Sequence, residues 1–145
     1  MKLATLLWLT SVMPQPVADQ TCLATTVYLE ARGQTSLGQM AVAEVAMRRL
    51  EQGRWGKSLC QVLGSRNQFA LSTTSKNYKI DQADAWSHAW ALAGFTMNMW
   101  TLPENLRMLV VPGADHFLAA YAERPAWASG TPLAIIGDHR FYAVN

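Results

Sequence analysis

The pattern of the chain changes between Pro103 and Pro112, and that change constrains the fold more than any other feature. Upstream, apolar residues recur at helical spacing between capping residues. Downstream, short alternating segments are punctuated by Pro and Gly. Asp19 is placed to cap a helix through "QTCLATTVYLEAR" that Gly33 stops. Ser36 starts a second helix, in which Leu37, Met40, Ala41, Val45 and Met47 or Arg48 follow a 3.6-residue period as far as "EQGRWG". A short helix, "SLCQVLG", comes next. "SRNQFALSTTSKNYKI" is polar and aperiodic and reads as a long loop, of a length that in compact domains is often functional. Asp81, with Asp84 three places on, begins the longest helix, which runs through "AWSHAWALAGFTMNMW". "ADHFLAAY" and "HRFYAVN" read as strands joined by a loop holding Pro125, Trp127, Gly130 and Pro132. The expected fold class is α+β: a mainly helical domain with a small C-terminal antiparallel β-sheet.

The chain is long enough for one domain with a real core, and a 50% hydrophobic, 15% charged composition fits a folded protein. A net charge of +2 gives no argument for nucleic acid and does not oppose an anionic polymer. Six tryptophans suit core packing, and their faces also stack on sugar rings.

Residues 1–18 read as a leader. Lys2 precedes the uncharged run "LATLLWLTSVM", too short for an ordinary membrane-spanning helix but resembling a secretory signal or a weak anchor. The alternative is a first helix of the fold. The catalytic domain is then expected over 19–145, in an exported protein with transient membrane association through the leader. Cys22 and Cys60 either pair, as an exported protein allows, or remain two buried thiols.

Among the acids, Asp19, Asp81 and Asp84 have structural excuses at helix starts, and Glu51 and Glu104 read as surface residues. Glu30 does not fit either group. It sits among Val27, Tyr28, Leu29 and Ala31 near a helix C-terminus. Desolvation and the helix dipole both favour its protonated form, which is what a general acid needs. Glu44 is the rival, with a polar-face position as its ordinary explanation. His88 reads as structural. His116 and His139 follow Asp115 and Asp138 in the strand region, and with Glu30 they offer three metal-ligating side chains, but no HExxH or CxxC spacing supports a metal. No GxSxG elbow is present.

Four stretches in order resemble the SleB-type cell-wall hydrolase family of spore cortex-lytic enzymes. They are Tyr28 with Glu30-Ala31-Arg32-Gly33 and Gly38-Gln39 before Ala41-Val42-Ala43; Cys60, Val62, Gln68 and Phe69; Ala114-Asp115-His116 with Pro125 and Trp127; and Gly137, His139, Phe141 and Tyr142. Arg48 stands where the family has Asn, Phe117 where it has Tyr, and Leu118 where it often has His. The resemblance implies a lysozyme-like fold with a groove between a helical body and a smaller lobe. It implies cleavage of peptidoglycan glycan strands as a lytic transglycosylase, with Glu30 as the single catalytic acid. Gln68, Phe69, His116, His139 and Tyr142 are the candidate substrate contacts. No cofactor or metal and a monomeric enzyme are expected, either a phage endolysin or a bacterial wall-remodelling enzyme. The alternatives are a hydrolytic muramidase using Asp115 or Asp138 as second carboxylate, a zinc amidase or peptidase, and an inactive peptidoglycan-binding protein.

Overall fold

The computed structural model describes residues 1–145. Six helices precede the sheet: α1 (Leu3–Val12), α2 (Gln15–Ala31), α3 (Ser36–Gln52), α4 (Leu59–Gly64), α5 (Ala70–Thr73) and α6 (Ala83–Trp100). After a 3-10 turn at Glu104–Leu106 come β1 (His116–Ala119), β2 (Ala134–Ile136) and β3 (His139–Tyr142). The sheet is antiparallel in the order β1-β3-β2. The fold class is α+β, as the sequence pattern implies.

Helix α2 forms the centre of the body, with α3, α4 and α6 packed around it. Every residue from Thr21 to Tyr28 is buried, so its β-branched threonines must satisfy their hydroxyls internally. They do: Thr25 and Thr26 donate to the carbonyls of Thr21 and Cys22. Cys22 on α2 and Cys60 on α4 form a disulfide with Cα atoms 5.3 Å apart. The pairing therefore holds, and the two-thiol alternative does not.

Three local expectations are revised. Helix α2 starts at Gln15, where Pro16 suits the first turn, so Asp19 lies inside it rather than capping it. Asp19 Oδ1 instead accepts from the backbone N–H of Cys60, in the first turn of α4. No side chain caps α6, so the Asp81–Asp84 capping box does not form. The long polar segment contains the one-turn helix α5. The α3 expectation holds, with Thr35 as N-cap and Gly53 (φ 74°) ending it in the left-handed region.

The N-terminal segment packs onto the body. Leu3 and Leu6 are buried, and backbone bonds tie Leu3 to Tyr78 and Ala4 to Lys76. Helix α2 crosses residue 18. No helix is long and apolar enough to cross a membrane.

Candidate active site

The geometry of Glu30 begins with its helix. It lies one residue before the end of α2, half-buried, with Arg32 pinning the turn beyond it. Arg32 donates to the Tyr28 carbonyl and to the Tyr78 hydroxyl, and its guanidinium lies 4.8 Å from the Tyr28 ring centroid. Two residues on, Gln34 holds the tip of the β2–β3 hairpin. Its Nε2 donates to Asp138 Oδ2 at 3.0 Å, and its Oε1 accepts the Asp138 N–H at 3.0 Å. Gly137 (φ 55°) is favoured at that tip by its left-handed backbone, and a Cβ there would displace the Gln34 amide that holds Asp138.

Burial raises the Glu30 carboxyl to a pKa of about 7. The Ala70 N–H and the Arg49 charge pull the other way without cancelling the effect. At neutral pH the group is thus poised between donor and acceptor of a proton.

Arg49, which the sequence reading did not single out, ties the end of α3 to the start of the sheet and to Gln68. It is 4% exposed. Its guanidinium lies between the rings of Trp55 and Phe69, 4.7 and 4.8 Å from their centroids. Nε donates to the Asp115 carbonyl at 2.7 Å, and Nη1 to Gln68 Oε1 at 3.1 Å. Burial lowers its pKa to about 10, which leaves it charged at neutral pH. The only signal in the sequence was the arginine pair at the end of α3, where a solvated face was equally natural.

The candidate contacts are brought to the same end of the molecule but not to one surface. Strand pairing matches His116 with Tyr142 and Phe117 with Phe141. Directly opposed residues share a face, and successive residues alternate. His116 and Tyr142 therefore share one face, with Trp127 4.8 and 5.5 Å from their rings. His139 lies on the other, 5.4 Å from Phe117, which in turn packs on Phe69. The single groove expected to hold both histidines is thus divided by the sheet. No three His, Cys, Asp or Glu side chains cluster as metal ligands.

Asp115 is fully buried and fully engaged. It accepts from Gln52 Nε2, from His116 Nδ1 and from the backbone N–H groups of Val144 and Asn145, all within 3.0 Å. Burial pushes its pKa up, but these donors outweigh it and bring the group to about 2. An ionised carboxylate only accepts, so His116 carries its proton on Nδ1 and, when neutral, leaves Nε2 as an acceptor. Burial lowers the His116 pKa and favours that neutral form.

A cavity of about 610 Å³ lies elsewhere, between α1, α2 and α6, among Leu6, Leu9, Met13, Val17, Trp86 and Trp90. Its lining is mostly apolar.

A family model described as Cell Wall Hydrolase matches residues 33–142. This chain belongs to the cell wall hydrolase family. Family membership supports a peptidoglycan-degrading enzyme acting at the cell wall. The matched span begins at Gly33 and does not include Glu30. No curated protein matches the chain, and no solved structure matches it.

Proposed function

We propose that this cell wall hydrolase cleaves the glycosidic bond between N-acetylmuramic acid and N-acetylglucosamine as a lytic transglycosylase, with Glu30 as its single acid and base. The observation that carries this reading is the Glu30 carboxyl near the end of α2, raised by burial to about 7. Protonated Glu30 gives its proton to the bridging oxygen as the C1–O bond breaks. The muramic 6-hydroxyl attacks C1, its proton returns to Glu30, and a 1,6-anhydro ring closes without water.

A hydrolase of the usual two-carboxylate kind needs a second free acid. Asp115 has its oxygens filled by four donors, and Asp138 is bound to Gln34 at an exposed turn. That engagement favours the one-acid route. A hydrolytic muramidase is the second reading, favoured by the Asp115–His116 pair, whose Nε2 would activate the water. Gln68, Phe69, His116, His139 and Tyr142 stay as proposed substrate contacts on two separate faces of the sheet, with glycan reaching the His116 face past Trp127.

The disulfide supports export to an oxidising compartment, the cell envelope or beyond. We further propose that residues 1–18 stay attached after export, because cutting there would sever α2 and remove Leu3 and Leu6 from the core. Intact mass of the exported protein tests this, and a mature chain starting at Asp19 would refute it.

The test of the reaction is mass spectrometry of muropeptides released from purified peptidoglycan. Anhydro-muramic ends that disappear with Glu30→Gln are the expected result. Reducing ends would establish the hydrolytic reading, and undiminished release by Glu30→Gln would remove Glu30 from the mechanism.

A further inference from the structure

We infer that α1 is a docking surface for an anionic lipid membrane: it lies flat in the interface, its outer face toward the acyl chains and a lysine cluster at its N-terminal end among the headgroups. This rests on the proposal that residues 1–18 stay attached, and it is independent of the chemistry assigned to Glu30.

Helix α1 carries no charged side chain and is apolar on two opposite sides. Leu3 and Leu6 are buried against the body. Trp8 and Val12, one turn apart on the opposite side, are 63% and 64% exposed. A helix that only covered a water-soluble body would turn charged and polar side chains outward. Two of its three hydroxyl side chains ask nothing of water: Thr10 and Ser11 donate to the Leu7 and Trp8 carbonyls at 2.7 and 2.6 Å. An indole suits a membrane–water boundary, with its rings in the apolar layer and its N–H toward the headgroups. Beside this face, the cavity lined by Leu9, Met13, Val17 and Trp86 carries apolar surface on toward α6.

Charge selects the partner. Lys2 and Lys79 pair across an antiparallel bridge, so their side chains leave on the same side. The Ala4 N–H donates to the Lys76 carbonyl, which brings a third lysine to the same end of α1. All three are exposed, and neither ion pair of the molecule involves a lysine. Like charges directly opposed repel. An anionic headgroup layer relieves that repulsion, and each lysine held near it adds attraction. Asp81 is the one acid lining the cavity, and α1 itself offers none to meet the lysines from a second copy of the chain. An apolar face with a basic edge is the pattern of a helix that lies on a membrane, and no helix here is long and apolar enough to cross one.

The experiment is co-sedimentation of the full chain, its intact mass verified, with vesicles of phosphatidylcholine alone or mixed with phosphatidylglycerol. Wild type should sediment with the mixed vesicles and far less with the neutral ones, and added salt should weaken binding. Trp8→Asp with Val12→Asp should lower binding at least about tenfold while peptidoglycan release in solution stays unchanged, because both side chains are exposed. Lys2→Gln and Lys79→Gln should each weaken binding about fivefold. Circular dichroism checks folding; should the double aspartate variant fail to fold, the lysine variants decide. No binding to mixed vesicles, equal binding to neutral ones, or binding that survives both sets of substitutions overturns the inference. So does a dimer in analytical ultracentrifugation that the aspartates dissociate while vesicles stay unbound, which would make the face an interface between copies. A mature chain starting at Asp19 refutes the attachment proposal instead, and the intact mass separates that failure from this one.

Discussion

Glu30 and Glu44 sit on neighbouring helices, and burial raises the pKa of both, yet their surroundings differ in one decisive respect. Glu44 is 2% exposed, and its two oxygens accept the backbone N–H groups of Val110 and Val111 at 2.9 Å or less. Those bonds fasten the segment between α6 and the sheet onto α3. Glu30 is half-buried, and the Ala70 N–H and the Arg49 charge leave its carboxyl free to exchange a proton. Burial alone does not make a working acid. A carboxylate whose lone pairs are filled by backbone donors is a structural tie, and one held near a fixed charge with capacity left over is available for chemistry.

The strongest way to break this contrast is to neutralise each acid in turn. Glu30→Gln should cost about 10²- to 10⁴-fold in muropeptide release, the usual worth of a general acid. The same variant should melt higher than wild type at pH 8. The folded protein holds the Glu30 proton up to about pH 7 whereas the unfolded chain releases it near 4.5, so Glu30 destabilises the fold progressively as pH rises between those values. Glu44→Ala should do the opposite. It strands the Val110 and Val111 donors and should lower unfolding free energy in urea by about 2 to 5 kcal/mol, with activity per folded molecule kept. Lost activity at unchanged stability would exchange the two roles.

Next in size is the disulfide, which anchors the helix carrying Glu30 and closes a 38-residue separation. Replacing Cys22 and Cys60 with Ala should cost about 2 to 4 kcal/mol in the same urea titration. An unchanged midpoint would show that packing around α2 suffices without it. The mildest probe is pH alone. Above about pH 7 the kcat/KM of wild type should fall about tenfold per unit as Glu30 ionises. A flat profile to pH 9 would sink the assignment of Glu30 as donor.

Much of the helical body was legible because its signals are local. Thr35 caps α3 with its side-chain hydroxyl, Gly53 ends it with a left-handed backbone, and the apolar neighbours of Glu30 are next to it in the chain. Asp19 misled because a good N-cap residue is equally good as a partner for another helix, and only folding brings Cys60 to it. Strand β2 was missed since three residues give little alternation, although Gly137-Asp138 after "AII" was a usable hairpin signal. Phe117 packs its ring on Phe69, Phe141 and His139, contacts between segments that the sequence does not show to be neighbours.

By itself the sequence determined the fold class, the helix carrying Glu30 and the direction in which its pKa moves. Those depend on spacing, caps and adjacent side chains. Only the tertiary structure decided that Glu44 is a tie, that Asp115 is spent, that the sheet separates His116 from His139, and that Arg49 is buried between Trp55 and Phe69. Each of those is an accounting of buried donors, acceptors and charges between segments far apart in the chain, and that balance exists only once the chain has packed.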